Sequence, residues 1–104
     1  MVIEELPEFK KMIDQLLSDD ERFALFNTFI DRPESGDLIR AGGGARKLRF
    51  PLQGRGKRGG LRVIYAWSKA RDQVLCMYVY PKSEKSDLTP QQIAMLAKGA
   101  KAWL

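Results

Sequence analysis

At Gly42-Gly43-Gly44 the spacing of apolar residues in this chain changes period. Ahead of the glycines, Leu6, Phe9, Met12, Ile13, Leu16 and Leu17 recur every three or four residues, which puts them on one face of a helix over 7–17. Ser18-Asp19-Asp20-Glu21 has the capping-box pattern, in which a hydroxyl and a carboxylate three residues apart satisfy each other's backbone N–H, so a second helix starts there. Phe23, Phe26, Phe29 and Ile30 are its expected core stripe. It must stop before Pro33, because the residue preceding a proline is pushed out of the helical region. After the glycines the period is two. Leu48, Phe50 and Leu52 alternate with Lys47, Arg49 and Pro51, and Leu61, Val63, Tyr65 and Trp67 alternate with Arg62, Ile64, Ala66 and Ser68. Alternation is the mark of a strand with two different faces.

Ala70-Arg71-Asp72-Gln73 turns the chain into a third β-rich run at 74–80. Three strands with short connections predict an antiparallel meander. Thr89 as N-cap, Pro90 at the first helical position and Gln92 closing a second capping box predict a last helix, with Ile93, Leu96, Ala97, Ala100 and Leu104 as its apolar stripe. Met1–Glu5 is a candidate lead-in strand. The expectation is an α+β fold in one domain, 1–104. Two N-terminal helices and a C-terminal helix cover one face of a curved antiparallel β-meander of three to four strands.

Composition removes several chemistries. There is no histidine, so a Ser-His-Asp arrangement, a histidine acid/base pair and the commonest metal ligand are absent. One cysteine, Cys76, rules out an intramolecular disulfide and a cysteine-based zinc site, and its apolar surroundings predict a small buried hydrophobe. No metal ion or other cofactor is expected. No apolar run approaches the roughly 20 residues of a membrane span, and the acidic N-terminus does not resemble a signal peptide, so the expected location is the cytoplasm.

Charge then points to a ligand. Between Asp37 and Asp72 lie ten basic residues and no acidic one, so the net charge of +5 divides into +10 in this stretch and −5 elsewhere. Charge gathered in this way marks a polyanion-binding face. Alternation puts Lys47 and Arg49 on one side of their strand, Arg62 can join them from the next, and Arg55, Lys57 and Arg58 lie in the glycine-rich connection beyond. Exposed strand faces are commonly charged and edge lysines deter aggregation, but ten cations without a counter-charge exceed that role. Gly54-Arg55-Gly56-Lys57-Arg58-Gly59-Gly60 lacks the spacing and the Ser/Thr of a Walker A loop. Its glycines are expected to supply positive φ. Of the aromatic residues that could stack on bases, Tyr65, Trp67 and Tyr78 read as core, while Tyr80, beside Pro81 and Lys82, can equally face a ligand. Lys82 to Asp87 links the last strand to the last helix. It reads either as a solvated connection with cap chemistry at Asp87 or as the mouth of the basic groove.

The segments Ala45-Arg46-Lys47-Leu48-Arg49-Phe50, Gly54 to Tyr65 and Tyr80 to Thr89 together resemble the RelE/ParE superfamily of bacterial type II toxins, most of all the HigB-like branch of RelE. The resemblance implies a ribosome-dependent endoribonuclease that cuts mRNA in the ribosomal A site through attack of a ribose 2′-OH. It implies mRNA and the ribosome, with its 16S rRNA, as partners. It also implies a cognate antitoxin, HigA-like with a helix-turn-helix domain, through which alone the complex meets operator DNA. No membrane contact is implied. Lys47, Arg49 and Arg62 match the family's basic strand positions. Where RelE has an arginine and a tyrosine near the C-terminal helix, this chain has Ser83 and Thr89, so Lys82 and Tyr80 are the neighbouring candidates.

The expected catalytic set is therefore Lys47, Arg49, Arg62, Lys82 and Tyr80. Arg46, Arg55, Lys57, Arg58 and Lys85 are the expected RNA- and ribosome-binding residues. Arginine forks suit charge developing on a phosphorane, so Arg49 and Arg62 are the expected clamps. A lysine crowded by cations loses proton affinity, which makes Lys47 the candidate base and leaves Lys82 or Tyr80 as candidate acid. Two alternatives stand beside this reading: a ParE-like inhibitor of DNA gyrase on the same fold, and a basic RNA-binding module without catalysis.

Overall fold

The computed structural model describes residues 1–52, 60–84 and 87–104. Its elements run β1 (Val2–Glu5), α1 (Pro7–Leu16), α2 (Asp19–Asp31), β2 (Asp37–Leu38), β3 (Arg46–Phe50), β4 (Leu61–Ser68), β5 (Gln73–Pro81) and α3 (Pro90–Trp103). Both predicted capping boxes form. The Glu21 N–H donates to Ser18 Oγ at 3.2 Å and the Ser18 N–H to Glu21 Oε1 at 2.9 Å. Thr89 and Gln92 repeat the exchange at 3.1 and 2.9 Å. These contacts fix the helix starts by occupying N–H groups that no helical carbonyl can reach.

The sheet has five strands in the order β1-β5-β4-β3-β2. The meander β3-β4-β5 is antiparallel as predicted, β2 pairs antiparallel to β3, and β1 adds a parallel edge beside β5. The small α+β domain is therefore the expected one with a slightly larger, mixed sheet.

The helices do not share one face. Phe9, Ile13, Leu17, Leu25 and Phe29 from α1 and α2 pack with Leu48, Leu61, Val63, Tyr65, Val74, Cys76 and Val79. A second cluster on the reverse of the sheet joins Ile64, Ala66, Leu75, Met77 and Tyr80 to Ala100, with Ile93, Leu96 and Trp103 against it. The reason lies in β4, whose alternate residues Ile64 and Ala66 are also apolar, so both of its faces need cover. Arg71, in the turn between β4 and β5, holds the end of α3. Its guanidinium lies 4.6 Å from the Trp103 ring centroid and donates to the Trp103 carbonyl at 2.7 Å.

A second correction concerns α2. Leu25 and Phe29 are fully buried and Phe26 is half-buried, but Phe23 and Ile30 are 68% and 55% exposed. This helix carries apolar residues on two opposite faces, and only one of them packs.

Between β4 and β5 the register shifts. Ile64 pairs with Tyr78 while Tyr65 pairs with Cys76, so Met77 is the extra residue of a bulge. Val74 and Cys76 face α1 and α2, and so does Val79, whereas Met77, Tyr78 and Tyr80 face the side of α3. Gly60 opens β4 at a φ of +60°, where a Cβ would lie 2.3 Å from the Phe50 carbonyl oxygen. Only glycine fits there, as the sequence predicted for the glycine-rich connection.

Candidate nucleic-acid interface

The β3-β4-β5 register sets the site. On the α3 side of the sheet, Lys47, Ile64 and Tyr78 form one cross-strand row, and Arg49, Arg62 and Tyr80 form the next. Directly opposed residues on one face stand about 5 Å apart at Cβ. Two arginines opposed in this way repel each other, and such pairs destabilise a sheet. α3 covers the Ile64–Ala66 end of this face. At the Lys47–Arg49–Arg62 end, Asp87 Oδ1 lies 3.6 Å from Lys47 Nζ.

Exposure grades across the row. Arg49 is exposed and Lys47 is half-buried, while Arg62 and Tyr80 are 6% and 2% exposed. Arg62 donates to the Leu61 carbonyl at 3.4 Å. Tyr80 shares a buried cluster with Leu88, and its ring lies 5.8 Å from that of Tyr78. Burial pushes the Tyr80 hydroxyl above its ordinary range, Asp87 and Tyr78 push the same way, and Arg62 opposes them. The phenol is protonated at neutral pH, as an ordinary tyrosine is, and the shift makes it a weaker acid, not a stronger one.

Asp87 was expected only as helix-cap chemistry. Its carboxylate accepts the Leu88 N–H at 2.8 Å. That hydrogen bond and then Lys47 hold Asp87 below the usual carboxylate range. Its place beside Lys47 had no signal in the sequence, because the two residues are forty positions apart.

The remaining expected residues divide. Lys82 is exposed in the turn after β5. Arg46 does not join the group. It pairs with Tyr65 and so lies on the α1–α2 side of β3, where its guanidinium donates to the Gly36 and Glu34 carbonyls at 2.9 and 3.3 Å. Arg55, Lys57, Arg58 and Lys85 lie outside the described residues. Thr89 and Ser83, which stand where RelE has its tyrosine and arginine, are exposed, and the Thr89 hydroxyl is taken by the helix cap.

A five-stranded sheet between two helix layers, with a row of cations and a buried phenol on its α3 side, defines a small α+β protein with a basic face. Residues 8–104 match the family described as the RelE toxin of the RelE / RelB toxin-antitoxin system, and the chain belongs to that family. Its fold is similar to that of a free-state E. coli toxin RelE carrying two arginine-to-alanine substitutions. The TM-score is 0.58 and the identity 16%, with 94% of each chain covered. No helix among the described residues is long and apolar enough to cross a membrane.

Proposed function

We propose that this toxin is a ribosome-dependent mRNA endoribonuclease of the HigB-like kind, neutralised by a HigA-like helix-turn-helix antitoxin, with the Arg49–Arg62–Tyr80 row as its reacting face. The opposed arginines carry the reading. A sheet that sets two arginines directly opposite each other carries a like-charge pair that a bound phosphate would relieve. In the reaction the 2′-hydroxyl gives its proton to solvent water as its oxygen forms a bond to the adjacent phosphorus, while the bond to the 5′-oxygen breaks, leaving a 2′,3′-cyclic phosphate and a 5′-hydroxyl. Arg49 and Arg62 hold the phosphate oxygens as charge builds on them. Tyr80, opposite Arg62 in the row, gives its proton to the departing 5′-oxygen. Lys47, with Asp87 beside it, acts as a third cation rather than as the base, and Lys82 lies at the entrance.

The test is a translation-coupled cleavage assay with folded single variants. Arg62→Ala and Tyr80→Phe should each lower the cleavage rate by about two orders of magnitude, the scale of one transition-state donor or one general acid. Lys47→Arg should stay within tenfold of the parent and Lys47→Ala should not, because arginine keeps the charge but does not give up a proton at neutral pH. Cleavage by Arg62→Ala at the parental rate sinks the assignment. Stalled gyrase–DNA complexes without mRNA cuts would select the ParE-like alternative.

A further inference from the structure

The exposed side of α2 has no part in the site just described. Phe23 and Ile30 are seven residues apart, two helical turns or about 10.5 Å, and so lie on one line along the helix with Asn27 between them. Both are among the most exposed large apolar residues of the described chain. An ordinary surface helix is polar on its outer face. Here the line is flanked by Asp19 and Asp20 at one end and Asp31 at the other, all exposed. Of the nearby cations, Arg22 is turned away, its guanidinium held by both oxygens of Glu5 at 2.6 and 2.7 Å and by Asp14, and Arg32 sits at the C-cap. This is an apolar ridge in an acidic setting, on a molecule whose opposite face is strongly basic.

We propose that this α2 ridge docks a basic amphipathic helix of the antitoxin, one that sets an apolar stripe on Phe23 and Ile30 and lysines or arginines against Asp19, Asp20 and Asp31. Charge selects this occupant over a second copy of the chain. A twofold pairing of α2 with itself would bring the same carboxylates face to face, and like charges at a contact oppose association. The ridge also lies across the sheet from Arg49, Arg62 and Tyr80. A partner held there leaves the cationic row open, so docking and coverage of the reacting face are separate events made by separate segments. The proposal rests on the toxin–antitoxin assignment and not on the cleavage mechanism.

The experiment is calorimetric titration of the folded toxin with the antitoxin encoded in the adjacent reading frame. Phe23→Ala/Ile30→Ala should bind at least tenfold more weakly, with an unchanged circular dichroism spectrum and unchanged RNA cleavage. Asp20→Lys/Asp31→Lys should weaken binding further than neutral substitution, and raising the salt from about 0.1 to 0.5 M should weaken the parent more than this variant. Lys47→Ala/Arg49→Ala should retain antitoxin contact through α2. Binding of Phe23→Ala/Ile30→Ala within threefold of the parent overturns the proposal. So does a parent that is dimeric in light scattering and becomes monomeric in that variant. A cleavage mechanism that fails would show instead in the Arg62 and Tyr80 variants, with the titration unaffected.

Discussion

Tyr65→Phe removes a single oxygen from the centre of the molecule. The side chain is fully buried in β4 on the α1–α2 side, with its ring 4.7 Å from that of Phe29. Its hydroxyl accepts the Gly36 N–H and donates to the Pro33 carbonyl, each at 2.8 Å, and so pins the α2–β2 connection to the sheet. Gly36 is there because a Cβ would lie 2.7 Å from the ring. Phenylalanine keeps the ring contact and loses both hydrogen bonds. The buried Gly36 N–H then has no acceptor, which costs about 1–3 kcal/mol, while the carbonyl of half-buried Pro33 can turn to water at little cost. We expect a loss of about 2 kcal/mol. At about 2.1 cal/mol/K of unfolding entropy per residue over 104 residues, that loss lowers Tm by about 9 °C. Calorimetry measures this, and anisotropy with single-stranded RNA should show no change in affinity, because the hydroxyl lies across the sheet from Arg49 and Arg62. A Tm within about 2 °C of the parent refutes the bond accounting. A fall in RNA affinity of more than threefold refutes the separation of the two faces.

Three further outcomes follow from the ionic and buried groups. Arg22→Ala strips the partner from Glu5, whose side chain is only 14% exposed, and should cost about 2 kcal/mol in denaturant unfolding, with Glu5→Gln restoring part of it in the double variant. Asp87→Asn removes the anion beside Lys47 and should tighten RNA binding several-fold at low salt, with the gain fading as salt rises; unchanged affinity at all salts would show that Asp87 does not compete with RNA. Burial, with Glu5 adding to it, pushes the Cys76 thiol well above its ordinary 9.0, and burial likewise raises Tyr65 and Tyr80 above 10.0. Raised folded-state values mean that this part of the stability is complete below the unfolded values and is lost as pH climbs through the folded ones. The urea midpoint should therefore start to fall above pH 9, and in Cys76→Ala the fall should start nearer pH 10.

What could be read from residues alone was whatever local periodicity or local bonding decides. The helix starts at Ser18 and Thr89 are fixed by partners three residues away, and they formed as written. The common face of Lys47, Arg49 and Arg62 follows from alternation and from one hairpin register. Features set by distant packing were not legible. The parallel edge β1 has four residues and little pattern, and its place beside β5 is decided only once the meander exists. Placing α3 on the reverse of the sheet required taking Ile64 and Ala66 as a second core face rather than as the filler of an alternation. On α2, four large apolar residues read as one stripe, but Phe23 lies about 120° around the helix from Phe29, and only Phe29 faces the core.

The bulge at Met77 is the feature on which the candidate chemistry turns. Up to Cys76, β5 sends its alternate residues toward α1 and α2, and unbroken alternation would send Tyr78 and Tyr80 there as well. The extra residue reverses the phase, so that Val79 takes the core position and Tyr80 lands opposite Arg62. β4 has no such break and carries Arg62 and Ile64 to the α3 side by simple alternation. The phenol and the two guanidiniums therefore share a face only because one strand is out of phase with its neighbour. A bulge costs a disrupted ladder. Its position between the core half of the strand and the basic half sets Val79 in the core and a hydroxyl beside the cations in the same step.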